Sequence, residues 1–266
     1  RSELIKDTVE GNKNLKEGVA KVALFDVTGQ NKSELKGTIE ALSKNDLSVI
    51  LSNENGITVD GANFINIHNM TLTTSKVKDN DGKLEYSKPK GEVLSLSDLD
   101  TTDVERFNIK AKILKVQGDV KAKKLLVETK AGEKGIPISA DIVGSIHADR
   151  VTIVATNSGI GVKSINANKT RIKAKEIKYD KINSKKTYIT LEDDFKNEEK
   201  IKADKRLYIK AKNILNEEGK NLKGRNIILE ADDKVVNSNG SKISADKYLH
   251  IKAKKLENIG KIEDFG

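Results

Sequence analysis

Residues that could catalyse a reaction or bind a metal are few in this chain, and they are scattered. Histidine is a common zinc ligand and general base, and the sequence has three, His68, His147 and His250. His147 and His250 each lie between aliphatic or small residues of an alternating pattern, so both are expected to face solvent. The three lie far apart in the sequence, and we therefore expect no zinc cluster and no other metal site.

Carboxylates are the next candidates, because paired Asp or Glu side chains can cleave glycosidic bonds. Asp193–Asp194 and Asp232–Asp233 fall at expected loop positions, and Asp79-Asn80-Asp81 lacks the later acidic ligands of a calcium loop. Gly159-Ile160-Gly161 is not followed by the third glycine of a dinucleotide-binding loop, so it predicts a turn. We therefore expect no catalytic residue and no cofactor, and a chain that is not an enzyme.

The amino-acid composition limits the remaining classes of function. The 266 residues carry a net charge of +9, with 36% hydrophobic, 4% aromatic and 33% charged residues, and no cysteine. Disulfides and thiol chemistry are thereby excluded. No run approaches the roughly 18 apolar residues of a membrane-spanning helix. The positive charge favours anionic glycans, lipopolysaccharide or nucleic acid as partners, or it reflects lysines that fill the solvent faces of strands, which is the interpretation we favour.

The residues around position 60 show the pattern from which the fold is predicted. Leu51–Thr74 contains short runs of alternating aliphatic and polar residues, separated by turn residues. Asn53–Gly56 is one turn signal and Asp60-Gly61 is a second, because asparagine, aspartate and glycine tolerate the backbone of tight turns. Runs this short are typical of a chain that coils in flat-sided turns. Lys78–Lys83 has the composition of a turn at the tip of a projecting hairpin.

A repeat of about 20 residues follows from residue 107 onward. Each unit has an aliphatic residue, a small residue two positions later, and then a pair of aliphatic residues, or Thr and an aliphatic residue, two apart. Successive units start 26, 19, 17, 19, 21 and 21 residues apart. The units start at Val120, Ile146, Ile165, Ile182, Ile201, Leu222 and Ile243.

This period excludes solenoids of paired helices, which need about 33 residues or more per repeat. Apolar positions two apart indicate strands, and coils stacked at about 4.8 Å would pair them in parallel register. The sequence therefore predicts an all-β fold, a right-handed parallel β-helix (a solenoid) with a projecting β-hairpin. Small residues such as Ala122 and Ala203 are expected at its corners, and lysines such as Lys121 and Lys210 on its outside.

The Leu51–Thr74 stretch resembles the second signature of the two-partner secretion domain. That domain is found at the N-terminus of filamentous-haemagglutinin-like adhesins, haemolysins and contact-dependent inhibition exoproteins. The family pattern is Asn-Pro-Asn-Gly-Ile, a glycine-rich step, Phe-Ile-Asn and Thr-Leu-Thr-Thr, and here Glu54 replaces the proline. The matching residues are Asn53, Asn55, Gly56, Ile57, Gly61, Phe64, Ile65, Asn66, Thr71, Leu72, Thr73 and Thr74.

An earlier stretch, Asn12-Lys13-Asn14-Leu15, resembles the first signature of the same family, with Lys13 in place of a proline. The resemblance implies that both stretches are recognised by an outer-membrane transporter, through Asn12, Asn14, Leu15, Asn53, Asn55, Gly56 and Ile57. Alternatively, these asparagines only shape corners, where they bond to the backbone or stack as a hydrogen-bonded ladder. Both interpretations stay open at this point, since one corner can do both.

The resemblance also implies an organisation for the chain. We expect residues 1–165 to form a two-partner secretion (haemagglutination activity) domain and residues 166–266 to continue the same solenoid as haemagglutinin-type repeats. Because the chain opens at Arg1 rather than Met, we expect a fragment with its export signal and cap upstream and more coils downstream.

The function implied is that of an exported exoprotein, secreted or held at the bacterial surface, whose shaft serves adhesion or contact-dependent toxin delivery. Its partner would be an outer-membrane β-barrel secretion transporter, with host or neighbouring-cell receptors or glycans as further partners. We expect a monomer that does not span a membrane and does not bind nucleic acid. Two alternatives remain: a module that binds glycans or nucleic acid through its lysine faces, and a β-helical polysaccharide lyase or hydrolase.

Overall fold

The computed structural model describes residues 2–11, 13–14, 18–43, 46–131 and 136–265. Within these ranges the chain is all strand, without a helix, and it forms a parallel β-solenoid of about 11 turns. The strands are β1 Val22–Asp26, β2 Ser33–Glu40, β3 Ser48–Ser52, β4 Ile57–Ile65, β5 Asn69–Thr73, β6 Val77–Asn80, β7 Lys83–Tyr86, β8 Glu92–Ser95, β9 Leu99–Thr101, β10 Arg106–Ala111, β11 Ile113–Val116, β12 Val120–Lys130, β13 Ile138–Thr156, β14 Gly159–Ala174, β15 Ile177–Leu191, β16 Phe195–Asn197, β17 Lys200–Asn216, β18 Asn221–Asn237, β19 Lys242–Lys252, β20 Lys255–Asn258 and β21 Lys261–Asp264.

Parallel pairing between successive coils holds the stack together. Ile146 of β13 lies opposite Ile165 of β14, which lies opposite Ile182 of β15, and the same register continues to Ile201 of β17. These residues are the starts of the predicted repeat units, so residues about 20 apart in sequence lie over one another. The predicted parallel β-helix is confirmed.

The core is a set of aliphatic ladders along the solenoid axis. Full burial of one Val, Leu or Ile side chain contributes roughly 1.5–3 kcal/mol, which a ladder repeats at every rung. One ladder is Val120, Ile146, Ile165, Ile182, Ile201, Leu222 and Ile243, and another is Leu72, Ile109, Val127, Ile153, Ile172, Ile189, Ile209 and Leu229, all of them buried. The corner column is also confirmed, with Ala122, Ala148, Ala167, Ser184, Ala203, Gly224 and Ala245 in register.

A second kind of ladder is polar and lies inside the C-terminal coils. Asn197, Asn216 and Asn237 are fully buried, and each donates its side-chain N–H to the side-chain oxygen of the next asparagine, ending at Asn258. The donor–acceptor distances are 2.7, 2.8 and 2.8 Å. Asparagine stacking at one corner was among the possibilities that the sequence raised, but it occurs at a corner that neither signature marks.

The predicted hairpin is present. β6 and β7 pair antiparallel as a separate two-stranded sheet, joined by Asp81 and Gly82 at φ 51° and 81°. Both central residues have the positive φ of a type I′ turn, whose twist suits a tight hairpin. The Asp79 carboxylate accepts a hydrogen bond of 2.8 Å from the Gly82 N–H and closes the turn.

Three expected loop features are wrong, because the solenoid bends its strands by bulges rather than breaking them. Asp60-Gly61 lies within β4, where Gly61 has φ 70° and the register against β2 shifts. Gly159-Ile160-Gly161 opens β14, and a Cβ on Gly159 would come within 2.8 Å of the Pro137 carbonyl oxygen. Asp232–Asp233 lies within β18 at another register shift. Asp193–Asp194 lies between β15 and β16, as expected.

The outer surface is charged, as the alternation predicts. Lys121, Lys173, Lys202, Lys210 and Lys252 are all exposed on strands whose neighbouring residues face the core. In the described ranges no helix has the length and apolar character needed to cross a membrane.

Candidate functional site

The second signature forms a tight connection, residues 53–57, which we call the motif turn. It joins the end of β3 to the start of β4. The Gly56 N–H donates to the Asn53 carbonyl at 3.1 Å, and Gly56 takes φ 123°, a left-handed conformation that favours glycine. Ile57 then points into the core with 1% of its surface exposed. The chain therefore needs glycine and an aliphatic residue here to turn and re-enter the core.

Asn53 is at the centre of the motif turn and is fully buried. Its side-chain N–H groups donate to the Asn31 carbonyl and to Ser33 Oγ, both at 2.9 Å. Its side-chain oxygen accepts from the Asn55 backbone N–H at 2.9 Å. Its own backbone N–H donates to the Thr73 carbonyl of the next coil at 3.0 Å. Asn53 thus ties three coils together and has no surface through which a partner could contact it in the folded chain.

The outward part of the motif turn consists of Glu54 and Asn55. Asn55 is exposed, although its side chain also donates to the Gly29 carbonyl at 2.7 Å. The Glu54 carboxylate lies 2.9 Å from Lys90 Nζ, in the segment that returns from the hairpin. These two side chains are the part of the motif turn that the folded domain presents to solvent.

The returning segment packs tightly against the motif turn. A Cβ on Gly91 would lie 2.7 Å from the Glu54 carbonyl oxygen and 2.8 Å from the Gly56 nitrogen, both backbone atoms. The Gly91 carbonyl in turn accepts from Thr74 Oγ1 at 3.0 Å. Only glycine allows this approach, so the segment that returns from the hairpin packs backbone to backbone against the motif turn.

A cleft of about 540 Å³ lies between the motif turn and the hairpin, lined by Glu54, Lys76, Lys78, Glu85, Tyr86, Ser87, Lys88 and Lys90. Four lysines face two glutamates, so the cleft is positively charged. Burial raises the pKa of Tyr86, although Lys110, whose Nζ lies 4.7 Å from the ring centroid, opposes that shift. The arrangement can hold an acidic or hydrogen-bonding segment, and the tyrosine stays neutral at physiological pH.

The predicted site residues thus divide into distinct groups. Asn53, Gly56 and Ile57 are buried, whereas Asn55 is exposed. Asn14 is exposed in the turn at residues 13–14, and Asn12 and Leu15 lie outside the described residues. The cleft lysines were not predicted as part of the site. The sequence signal from which they could have been found is Glu54, a charged residue at a position where the family has proline.

The histidines do not assemble into a site. His147 and His250 are exposed, as predicted, and His68 Nδ1 lies 3.6 Å from the Asp46 carboxylate. Across the described ranges no three His, Cys, Asp or Glu side chains are grouped so that they could hold a metal ion.

Comparison with known proteins gives a consistent result. Residues 6–245 match a family model described as TPS secretion domain. The chain is 33% identical over 174 residues to the tRNA nuclease CdiA of Escherichia coli O6:K15:H31, covering 58% of this chain and 5% of that protein. It is 27% identical over 173 residues to the filamentous hemagglutinin of Bordetella pertussis, covering 55% of this chain and 5% of that protein.

A solved structure shares the fold. The crystal structure of the filamentous hemagglutinin secretion domain matches with a TM-score of 0.56 and 19% identity, covering 91% of this chain and 76% of that one. The chain spans about one twentieth of the length of the curated relatives it matches. Their names therefore describe proteins far longer than the part that resembles this chain.

Proposed function

The chain belongs to the TPS secretion domain family, and we propose that it is the part of an exported exoprotein that an outer-membrane β-barrel transporter recognises. The transporter would carry the exoprotein across the outer membrane to the cell surface. The observation that carries this proposal is the family match over residues 6–245, nearly the whole solenoid. The role of the full protein, adhesion or delivery of a toxin, is proposed from relatives that bear such names.

We propose further that the transporter recognises the signature residues Asn12, Asn14, Leu15, Asn53, Asn55, Gly56 and Ile57 before the chain folds. The support is the burial of Asn53, Gly56 and Ile57 in the folded domain. A partner can contact buried side chains only while the chain is extended. Folding then closes the motif turn, and the contact with the transporter is released.

The solenoid supplies a physical reason for directional export. Each coil that emerges finds the parallel edge of the previous coil and gains its backbone hydrogen bonds and buried aliphatic area. A coil that has folded outside the cell no longer fits a channel that admits an extended chain. The folded coils therefore oppose movement of the chain back through the transporter. Residues 1–165 as the recognised domain, and residues 166–266 as the start of a shaft, remain our proposed division.

Export in the presence and absence of the transporter tests the main proposal. The chain, with an inner-membrane export signal, is produced in a Gram-negative host with or without its outer-membrane transporter, and the amounts in the periplasm and the medium are measured. We expect the chain in the medium only when the transporter is present. Equal amounts in the medium in both strains would refute the proposal.

A further inference from the structure

A row of basic side chains follows one corner of the solenoid, and we call it the basic corner. Arg150, Lys169, Lys186 and Arg206 are partners in register on β13, β14, β15 and β17. The next two coils continue it with Arg225 and Lys247, adjacent to the in-register partners Asn226 and Tyr248. With rungs about 4.8 Å apart, six cations in a straight row span about 24 Å. Only Lys169 is partly covered, and the other five are exposed.

The cations of the basic corner are not neutralised by carboxylates. On the neighbouring face, by contrast, Lys110 pairs with Glu128 of the next coil, and their charged groups lie 2.6 Å apart. None of the six cations of the basic corner forms an ion pair with a carboxylate in the part of the chain that the structure describes. A column of unpaired like charges repels itself, so it weakens the fold unless an anion binds along it.

The middle of the basic corner is concave. A groove of about 470 Å³ lies there, lined by Lys186, Lys205, Arg206, Arg225, Asn226 and Lys247. Five of these six residues are cations, and they come from four successive coils. Because its lining extends over four rungs, the groove suits a chain-like ligand that runs past several rungs rather than a compact one.

Tyr188 and Tyr208 lie beside the basic corner, and Tyr188 contacts one of its cations. The ring centroid of Tyr188 lies 5.6 Å from Lys169 Nζ and 5.4 Å from the guanidinium carbon of Arg171. Tyr208 lies next to Tyr188, with 6.4 Å between ring centroids, and its hydroxyl donates to Glu230 at 3.0 Å. These rings are therefore engaged with side chains of the protein and leave no slot between them for a stacked base.

We propose that the basic corner binds a linear anionic polysaccharide, sulfated or carboxylated, laid along the solenoid axis. A straight row of point charges matches a flexible polymer that carries a charge at short, regular intervals. This proposal does not depend on recognition by a transporter, since the basic corner lies on coils β13 to β19, away from the motif turn.

Nucleic acid fits the same surface less well. A duplex turns once in about 34 Å, so its phosphates wind away from a straight 24 Å row of cations. Proteins that bind single strands add aromatic platforms on which bases stack, and two of the three adjacent tyrosines, Tyr188 and Tyr208, are already engaged with side chains of the protein. Aromatic residues are only 4% of the sequence, which leaves few rings for sugar stacking, and the proposed contact is accordingly ionic.

The test compares two triple variants of the full chain. The first, Lys186→Gln, Arg206→Gln and Arg225→Gln, removes three cations from the basic corner. The control, Lys163→Gln, Lys178→Gln and Lys196→Gln, removes three exposed lysines from elsewhere on the same coils. Binding of heparin fragments, polygalacturonate and a single-stranded DNA oligomer is measured by calorimetry at several salt concentrations, with thermal unfolding to confirm that each variant is folded.

We expect the chain to bind heparin or polygalacturonate and the control variant to bind it within about threefold of the unmodified chain. The first variant should lose at least about tenfold in affinity, and its slope of log K against log salt concentration should be shallower by about 2, since three contacts no longer release counterions. Three results would overturn the proposal: no binding of either glycan, equal losses in the two variants, or binding of the DNA oligomer more tightly than both glycans.

Discussion

Replacing Asn216 with alanine tests whether the buried asparagine ladder stabilises the solenoid. Asn216 Oδ1 accepts from Asn197 at 2.7 Å, and its amide group donates to Asn237 Oδ1 at 2.8 Å and to the carbonyls of Lys220 and Lys242 at 3.1 and 3.2 Å. The alanine variant loses all of these bonds in a site that water does not reach.

The size of the expected destabilisation depends on which hydrogen bonds remain in the alanine variant. The Asn216 amide group has two hydrogens for its three acceptors, so the variant loses three independent bonds, one accepted and two donated. A net contribution of about 1 kcal/mol per hydrogen bond gives about 3 kcal/mol, and unpaired buried groups can add to it. The addition is small here, because Asn197 keeps a bond to the Asn221 carbonyl and Asn237 keeps one from Ser241. We therefore expect a loss of about 3 kcal/mol in the free energy of unfolding of these coils.

Native-state hydrogen exchange measures this loss coil by coil. In a solenoid each coil contacts only its neighbours, so the loss should appear in β16 to β18 and leave β10 to β12 nearly unchanged. Asn183→Ala is the matched control, because Asn183 is an outward-facing residue of β15 and its substitution should change stability by less than about 0.5 kcal/mol. A change below about 1 kcal/mol for Asn216→Ala, or one spread evenly over all coils, would refute the reasoning.

Four further substitutions have defined outcomes in denaturant unfolding and hydrogen exchange. Gly91→Ala should lower protection in the motif turn and the hairpin, because the added Cβ would meet backbone at 2.7 Å. Thr187→Val should raise stability by about 1 kcal/mol, since the structure describes no partner for its buried hydroxyl, whereas Thr170→Val should lower it by losing a 2.6 Å bond to Ser184. Ile165→Ala should cost about 2–5 kcal/mol through the cavity it leaves, and a cost below about 1 kcal/mol would contradict its place in the core ladder.

The fold was predictable because the period of its coils appears as a repeat in the amino-acid sequence. Stacked coils put equivalent residues over one another, so selection for aliphatic side chains inside leaves a visible repeat of about 20 residues. The asparagine ladder carries the same signal, since Asn197, Asn216, Asn237 and Asn258 are 19, 21 and 21 residues apart. The signal is hard to recognise in advance, because asparagine is also common in exposed turns.

Bulges and long-range contacts were not predictable in the same way. Asp60-Gly61 and Asp232–Asp233 have the composition of turns, and only pairing with the neighbouring coil shows that the strand continues through them. Likewise, the motif turn was located correctly, but its composition could not reveal that Asn53 is buried or that Gly91 packs against it. Those facts depend on the neighbouring coils, which a local pattern does not specify.

The most direct test of the account compares secretion of Asn53→Ala with that of Asn216→Ala in cells that produce the transporter. Both substitutions remove a fully buried, fully hydrogen-bonded asparagine, so they should destabilise the folded solenoid to a similar degree. If the transporter recognises the signature in the extended chain, secretion of Asn53→Ala should fall at least tenfold further than secretion of Asn216→Ala. Equal secretion of the two variants at equal stability would contradict that claim and leave Asn53 with a role in the corner alone.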